Sequence, residues 1–264
     1  MDWSKIKTIF ILTFLILDVY LLFQFMKIRD ANKYEVITET SFEEKLKNDE
    51  IQYIDLPKTQ IKAQYLSAKA KVFSKSDLAK VKGEVITKDD GTTLLVTLEK
   101  PYQISEKFEP AELTNFLKGN VPYGDHYQYW EKSDKKNTIT YYQHYENFPL
   151  FKNISGMITF TLNADHQIVS YQQTYLDEVQ KLASKEEILP PLKAIETLYQ
   201  KGELKPKSKI TKVELGYSTL IKLSASKVLA PTWHFVVNDK DDLFVNAFEG
   251  QIIQFNSDEK ISVE

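Results

Sequence analysis

The sequence predicts an α+β protein in which an N-terminal transmembrane helix precedes a two-lobed, mainly antiparallel-sheet domain with isolated helices. Two observations support this prediction. One continuous apolar run, residues 8–26, stands apart from the rest of the 264-residue chain. After this run, short segments with alternating apolar and polar residues outnumber the helical segments, which is typical of strands paired mainly in antiparallel sheets.

The apolar run, TIFILTFLILDVYLLFQFM, is long enough to cross a bilayer. Its 19 residues would form a helix of roughly 28 Å, close to the ~30 Å hydrocarbon core. Its thirteen Ile, Leu, Val and Phe residues favour insertion by about 4–8 kcal/mol, which outweighs a cost of about 3 kcal/mol for Asp18 near the middle. A buried helix of a soluble protein is one alternative. A cleaved signal peptide is another, but KIRDANK follows the run instead of a small-residue cleavage site.

The composition describes a folded chain and excludes a nucleic-acid-binding protein. Apolar residues make up 42% of the chain and aromatic residues 12%, which is enough for a packed core. The net charge is −3 and Arg29 is the one arginine, so the chain lacks the basic surface that binds nucleic acids. Lys5 and Lys7 precede the apolar run, and Lys27 and Arg29 follow it. The positive-inside rule therefore does not decide the orientation of the helix.

The first part of the chain after the apolar run alternates short helices with strands. Residues 27–40 are polar and are predicted to form a stalk. The elements predicted next are a helix at 42–49 opened by a capping box at Ser41–Glu44, strands at 51–56 and 61–73, a helical turn at 76–83, a hairpin at 84–99 turning at Asp90–Gly91, and a helix at 110–118 between Pro110 and Gly119.

The second part of the chain is richer in strands. The elements predicted here are strands at 127–130 and 138–145, a hairpin at 156–176 turning at Asn163–His166, a helix at 186–201 opened by a capping box at Ser184–Glu187 and ended by Gly202, and strands at 210–223, 232–238, 243–248 and 251–255. A boundary near Pro149–Gly156 would separate two lobes of similar size, residues 41–150 and 151–264.

Residues 123–151 form an aromatic patch. It contains Tyr123, Tyr127, Tyr129, Trp130, Tyr141, Tyr142, Tyr145, Phe148 and Phe151. The favoured interpretation is the core face of a sheet, with tyrosine hydroxyls at its rim. The alternative is that the rings stack on a sugar or a peptide. The chain would then be a cell-surface hydrolase or an envelope ligand-binding module.

A search for chemistry predicts no catalytic, cofactor-binding or metal-binding residues. The chain has no cysteine, which excludes thiol catalysis and thiolate metal sites. The histidines at 126, 144, 166 and 234 form no HExxH motif, and His166 and His234 are interpreted as surface or rim residues. Ser224–Lys227 matches S-x-x-K without its companion motifs. Asp239–Asp242 is interpreted as a charged turn, and the Asn153–Ser155 sequon matters only in a glycosylating host.

Asp18 is the one residue that this search retains. An ionisable group at mid-bilayer is a functional candidate, because a partner must offset its cost. On a helix, Asp18 shares one face with Ile11, Phe14, Leu22 and Phe25. We predict that these five residues bind a partner helix within the membrane. The alternative is an aspartate that a lone helix tolerates.

Several segments of the chain resemble the YycI family, also called WalI. The N-terminal MDWSKIKTIFILTFLILDVYLLFQF resembles the start of that family's sequences. Further similar segments follow in order: YLSAKAKVF, DDGTTLLVTL, YYQHYENFPLFKNISGMITFTLN, SYQQTYL, VELGYS and APTW. LFVNAFEGQII also resembles the strand–turn–strand close of a PepSY-type module. The resemblance spans nearly the whole chain.

The resemblance implies a membrane topology and a regulatory role. Residues 1–7 would be cytoplasmic, residues 8–26 would span the cell membrane once, and the C-terminal part would be an extracytoplasmic ectodomain with a fold like that of YycH. Members of the family are auxiliary proteins of a cell-wall two-component system of Gram-positive bacteria. The implied partners are the membrane, YycH and the sensor histidine kinase YycG (WalK), with no nucleic acid and no small-molecule substrate. The family has no known catalytic residues or cofactors that could be assigned to positions of this sequence, so the resemblance implies that the chain is not an enzyme.

Overall fold

The computed structural model describes residues 3–57, 59–222 and 226–255. The chain divides into two compact units, one of residues 1–52 with 204–209 and the other of residues 53–203 with 210–264. Ser224 of the S-x-x-K match and the first two residues of the predicted cytoplasmic segment lie outside the described residues.

The elements of the described residues follow one another in this order: α1 (Trp3–Asn48), β1 (Gln52–Tyr53), β2 (Lys62–Ala70), β3 (Gly83–Lys88), β4 (Thr93–Gln103), α2 (Thr114–Asn120), β5 (Tyr127–Ser133), β6 (Thr138–Tyr145), β7 (Phe148–Pro149), β8 (Met157–Leu162), β9 (Gln167–Thr174), β10 (Leu176–Glu187), α3 (Pro191–Gln200), β11 (Lys209–Lys222), β12 (Lys227–Val237) and β13 (Asp241–Asn246). Short 3-10 turns connect several of them. One of these, Pro110–Leu113, starts at the predicted proline and leads into α2, but the predicted end at Gly119 is wrong, because α2 continues through Gly119 to Asn120.

Helix α1 is continuous, which corrects two predictions from the sequence. Residues 27–40 continue the helix instead of forming a separate stalk, and residue 41 lies inside it instead of opening a new one. No glycine or proline occurs between residues 3 and 48, so nothing in this stretch forces the backbone out of helical geometry. The predicted transmembrane segment 8–26 lies within α1. Among the described residues, no helix is both long enough and apolar enough to cross a membrane.

The end of α1 is a Schellman-type turn. The Ile51 N–H donates to the Leu46 carbonyl at 2.8 Å, and Glu50 takes a left-handed backbone with φ of 56°. Leu46, Ile51 and Leu204 are all buried, and the Gln52 N–H donates to the Ser208 carbonyl. This first unit therefore has its own buried side chains and its own backbone connection between its two chain segments.

The second unit contains two antiparallel sheets. In the first sheet, β11, β12, β2 and β10 follow one another in space, and β13 pairs with β12. In the second sheet the order is β3, β4, β9, β8, β6 and β5, with β7 paired to β6. The predicted α+β class with mainly antiparallel sheets is confirmed.

Each sheet combines strands from both sides of the predicted lobe boundary. β2 comes from residues 41–150 but pairs with β10 and β12 of the second part of the chain. β8 and β9 come from residues 151–264 but lie between β4 and β6. The lobes 41–150 and 151–264 therefore do not correspond to the two sheets. A local pattern identifies a strand, whereas its pairing partner is set by packing across the whole chain.

Strands β9 and β10 are consecutive, and the chain passes from the second sheet to the first between them, at Tyr175. The buried side chain of Gln143 in β6 holds this crossing. Its amide donates to the Leu176 carbonyl at 2.7 Å and accepts from the Leu176 N–H at 2.8 Å. Because the N–H and the carbonyl of Leu176 both form hydrogen bonds, the chain can cross here without burying an unpaired backbone group at Leu176.

A second connection between the sheets is a close approach of two backbones. Leu150 forms a parallel bridge with Tyr217 of β11, and the Phe151 N–H donates to the Tyr217 carbonyl at 2.7 Å. Gly216 makes the approach possible. A Cβ atom there would lie 2.4 Å from the Pro149 carbonyl oxygen and 2.5 Å from the Phe151 ring.

Helix α3 begins later than the sequence predicts. The capping box at Ser184–Glu187 does not form, because β10 extends to Glu187 and pairs with β2 at Ala63 and Lys62. The helix begins at Pro191, where a missing N–H costs nothing, and the residue before a proline avoids helical geometry. Gly202 follows the helix with φ of 76°, so its predicted end is confirmed.

Replacing Gly216 tests the close approach. Gly216→Ala should lower the free energy of unfolding by about 1–3 kcal/mol, because the new methyl group meets a backbone oxygen and an enclosed ring. The matched control is Gly119→Ala in α2, where a Cβ meets nothing within 4 Å. The control should be neutral or stabilising by about 0.5–1 kcal/mol. Thermal unfolding of both variants is the measurement, and equal stability of the two would contradict the assignment of Gly216.

Candidate functional site

The predicted partner-binding face lies on α1. Ile11, Phe14, Asp18, Leu22 and Phe25 are all exposed there. The spacing of three, four, four and three residues aligns them along the helix, as the sequence predicts. Nothing in the structure shows what this face contacts, so its role in binding stays a prediction.

The exposure is not limited to that face. The large apolar residues that are exposed between Phe10 and Met26 are Phe10, Ile11, Leu12, Phe14, Leu15, Ile16, Leu17, Val19, Tyr20, Leu21, Leu22, Phe23, Phe25 and Met26. Contiguous apolar surface of this kind marks a contact with a membrane or another protein.

Part of the aromatic patch lies in the core of the second sheet, where Tyr127 and Tyr141 are buried as the favoured interpretation predicts. Tyr145 and Phe148 instead pack against the core of the first sheet. Tyr141 is 3% exposed, and its ring packs against Phe160 with 5.9 Å between centroids. Phe116 of α2 packs on the same Phe160 ring. The hydroxyl groups of Tyr127 and Tyr141 donate to the carbonyls of Thr174 and Pro110. The buried rings thus contribute to the core, and these two hydroxyls satisfy backbone acceptors.

A cleft of about 390 Å³ lies beside these rings. Its lining includes Lys118, Asp125, Tyr127 and Tyr141. Burial raises the pKa of Tyr127 and of Tyr141, so both hydroxyls stay protonated and are poor bases at neutral pH. Among the described residues that line the cleft there is no histidine, serine or cysteine. The lining does contain the Thr114 hydroxyl, the Lys118 amine and the Asp125 carboxyl.

His126 and His144 come close together, with 6.3 Å between ring centroids. Nδ1 of His126 lies 2.6 Å from the Tyr175 hydroxyl. The two ring nitrogens of His144 lie 2.9 and 3.2 Å from the backbone carbonyls of Glu146 and Asp125. Within the part of the chain that the structure describes, no three His, Cys, Asp or Glu side chains are arranged so that they could hold a metal ion.

A charged network lies where the chain crosses from one sheet to the other. Lys71 donates to Asp177 at 2.9 Å and lies 5.1 Å from the centroid of the Tyr123 ring. The Tyr123 ring stacks on Tyr175 at 4.5 Å, and its hydroxyl donates to Asp77. No local sequence pattern indicates this network, because its members come from three separate segments of the chain.

The network changes the ionisation of Asp77. Burial alone would raise the pKa of the Asp77 carboxyl, but hydrogen bonds from Tyr123 and Ser74 outweigh it and lower the pKa to about 2. The hydrogen bond to Asp177 raises the pKa of Lys71 above its ordinary value. Both side chains therefore stay charged over the physiological range.

A second cluster surrounds His234, and here the sequence interpretation was wrong. His234 is 2% exposed, not a surface or rim residue. Glu214 lies directly opposite it in the pairing of β11 with β12, and Phe244 directly opposite it in the pairing of β12 with β13. Asp242 precedes Phe244 by two residues and so lies on the same face. The interpretation of Asp239–Asp242 as a charged turn was wrong for its last two residues, because Asp241 and Asp242 belong to β13.

Comparisons with known proteins match one family model and several solved structures. A family model described as YycI protein matches residues 31–248. The comparison with curated proteins finds no match. An uncharacterized protein from Eubacterium rectale is 9% identical with a TM-score of 0.46, and the match covers 79% of this chain and 92% of that one.

Two further solved structures are similar over a comparable share of the chain. The C-terminal domain of YpeB from Bacillus megaterium is 12% identical with a TM-score of 0.39, and the match covers 72% of this chain and 90% of that one. YycH from Bacillus subtilis is 18% identical with a TM-score of 0.38, and the match covers 74% of this chain and 54% of that one.

The acid dependence of stability tests the network around Asp77. A carboxyl whose pKa is lowered by folding contributes stability above its unfolded pKa of about 3.9, and that stability is lost as the pH falls through the folded pKa. Asp77→Asn should therefore be less stable than the wild type at neutral pH, by about 1 kcal/mol. The difference should shrink between pH 4 and about 2.

The matched control for this experiment is Asp134→Asn. Asp134 pairs with Lys132 on the surface, and its side chain is 84% exposed, so its loss should change stability little at any pH. Thermal unfolding as a function of pH is the measurement. A constant gap between Asp77→Asn and the wild type down to pH 2 would refute the assigned role of Asp77.

Proposed function

The chain belongs to the YycI family, and on that premise we propose that it is a non-enzymatic regulator that acts by binding within the YycG (WalK) two-component system. The observation that carries this proposal is the family match over residues 31–248. The proposed partners are the sensor histidine kinase YycG (WalK) and YycH. No nucleic acid and no small-molecule substrate is part of the proposal.

The chemistry of the described side chains supports a binding role. The Tyr127 and Tyr141 hydroxyls donate to backbone carbonyls, and Nδ1 of His144 lies at hydrogen-bond distance from another. An enzyme of the hydrolase class would need a nucleophile beside a free base. A regulator that acts by binding needs a surface that contacts its partner, and the exposed apolar residues of α1 form such a surface.

We further propose that the protein is anchored in the cell membrane by residues 8–26, with its N-terminus cytoplasmic and the rest of the chain extracytoplasmic. The sequence supports this anchor, because the apolar residues of the run favour insertion by more than Asp18 costs. The exposure of the side chains from Phe10 to Met26 supports it as well. The orientation rests on the family resemblance.

Within that anchor, Ile11, Phe14, Asp18, Leu22 and Phe25 are the proposed contact to a kinase or YycH helix. Apolar side chains alone give little preference for one partner, since lipid tails are as apolar as leucine. A hydrogen bond from Asp18 to a polar group on the partner helix adds that preference. Such bonds average about 0.6 kcal/mol and reach roughly 1–2 kcal/mol, and about 1.4 kcal/mol is a tenfold change in population.

Reporter fusions test the topology. A reporter that is active only outside the membrane should be active when fused after Glu264, because the family resemblance puts this end outside. The matched control is the same reporter fused before Met1, which should be inactive. The reverse pattern would refute the orientation, and inactivity of both fusions in an expressed protein would refute the anchor.

Substitution of Asp18 tests the contact with the partner. Asp18→Leu should insert at least as well as the wild type, because it removes an insertion cost of about 3 kcal/mol. It should nevertheless co-purify with the kinase and YycH about two- to tenfold less, since the hydrogen bond is lost. Asp18→Asn should keep most of the binding, because an amide still forms a hydrogen bond.

Co-purification and kinase-dependent transcription, at matched membrane levels, are the measurements for these variants. Ile16→Leu on the opposite side of α1 is the control and should behave as the wild type. If Asp18→Leu co-purifies and signals as the wild type does, the regulation does not depend on Asp18.

A further inference from the structure

His234 lies between two carboxylates on the strands beside its own. Its Nε2 is 2.8 Å from Asp242 Oδ1 on β13, which is hydrogen-bond distance. Its Nδ1 is 3.8 Å from Glu214 Oε2 on β11, which is within ion-pair range but too far for a hydrogen bond. Both ring nitrogens therefore face negative charge, although the residue is almost fully buried.

This geometry determines where the protons lie. An ionised carboxylate accepts hydrogen bonds and cannot donate them, so Nε2 must carry a hydrogen to bond with Asp242. Nδ1 has no hydrogen-bond partner among the described residues. Without a proton, its lone pair would be buried facing the Glu214 carboxylate, which repels it. With a proton, the same contact is attractive, so the arrangement favours the doubly protonated imidazolium.

Aromatic rings enclose this imidazolium. Its ring centroid lies 4.7 Å from that of Phe244, nearly parallel to it, 5.1 Å from Phe151 and 5.3 Å from Trp130. Trp130 belongs to β5 of the second sheet, whereas His234 and Phe244 belong to the first sheet. The charge on His234 therefore lies where the two sheets pack together, and aromatic faces attract a cation.

We propose that His234 is a proton-binding switch between the two sheets. As an imidazolium it ties β11 to β13 through Glu214 and Asp242 and attracts the Trp130 ring. Loss of the Nδ1 proton keeps the Nε2–H bond to Asp242, removes the attraction to Glu214 and to the Trp130 ring, and loosens the packing of Trp130 and Phe151 on the first sheet. This inference concerns the second unit alone and does not depend on the proposed function.

Two lysines complete the charged surroundings of His234. Lys152 lies 3.9 Å from Asp242 and 5.7 Å from the centroid of the Trp130 ring. Lys212 lies 2.8 Å from Glu214. These cations share the two carboxylates with the imidazolium and keep both carboxylates paired when His234 is neutral. The switch can therefore open without leaving a buried charge unpaired.

The direction of the pH effect follows from the pKa values. Burial lowers the pKa of His234, but the hydrogen bond to Asp242 and the proximity of Glu214 outweigh it, so that the pKa is raised above its ordinary value. The imidazolium thus contributes stability that is fully present below the unfolded pKa of about 6.5 and is lost as the pH rises through the folded pKa. The pKa values of Glu214 and Asp242 are lowered, so their contribution is lost only at acid pH.

The first test is an NMR titration of the full chain in detergent micelles, with isotope-labelled histidine. His234, assigned by its loss in His234→Gln, should titrate above pH 6.5. The indole N–H signal of Trp130 should shift with the same midpoint. The indole N–H of Trp233, which donates to the Leu189 carbonyl at 2.8 Å, should not move. Titration of His234 at or below pH 6.5, or an unmoved Trp130 signal, would overturn the proposal.

The second test compares thermal unfolding between pH 6.5 and 9. The melting temperature of the wild type should fall by roughly 2–4 °C more than that of His234→Gln, in which an amide donor replaces the imidazolium without its charge. The control is His166→Asn, a change in an exposed turn with a left-handed backbone, which should keep the wild-type slope. Equal slopes for His234→Gln and the wild type would refute the switch.

A further variant keeps the proposal testable if His234→Gln does not fold. Glu214→Gln preserves the shape of the side chain and removes the charge that faces Nδ1. It should lower the pKa of His234 in the NMR titration by a measurable shift relative to the wild type. If the pKa of His234 is unchanged in Glu214→Gln, the Glu214 carboxylate does not stabilise the proton on Nδ1, and the proposal is refuted.

Discussion

The packing of the two sheets depends on the close approach of backbones at Gly216. The chain leaves β7 and its pairing with β6, and residues 150 and 151 then lie directly on β11. Here the Phe151 N–H donates to the Tyr217 carbonyl at 2.7 Å. Since a Cβ at residue 216 would overlap the Pro149 carbonyl, the contact exists only because this residue has no side chain. The position of one sheet on the other is therefore set by main-chain atoms.

Buried polar groups around this approach make the arrangement specific. Gln143 satisfies both backbone groups of Leu176 where the chain changes sheets, and buried Asn153 donates to the Thr219 hydroxyl at 3.1 Å. A buried polar group left without a partner costs about 1–3 kcal/mol, so a shifted register would be penalised at each of these positions. His234 adds a charge to the same region, and its enclosing rings come from both sheets.

The distribution of apolar and ionisable side chains agrees with a protein that acts by contact. Among the described residues of the second unit, the large aromatic side chains are buried or half-buried, and Phe151, Phe160 and Trp233 are fully buried. On α1, the apolar residues from Phe10 to Met26 are exposed. The buried aromatic side chains pack the core, and buried His234 makes the proposed packing of the two sheets depend on pH. The exposed apolar residues of α1 form the surface on which the proposed regulation depends. These roles fit membership of the YycI family.

The sequence by itself determined the α+β class, the hairpins at Asp90–Gly91 and Asn163–His166, and the family, because turn chemistry and alternation act over a few residues. Only the tertiary structure decided that β10 continues to Glu187, since its pairing with β2 overrides a local capping box. It also decided that His234 is buried between two carboxylates, because these partners lie on two other strands. Strand pairing joins distant parts of the chain, and no local pattern contains that information.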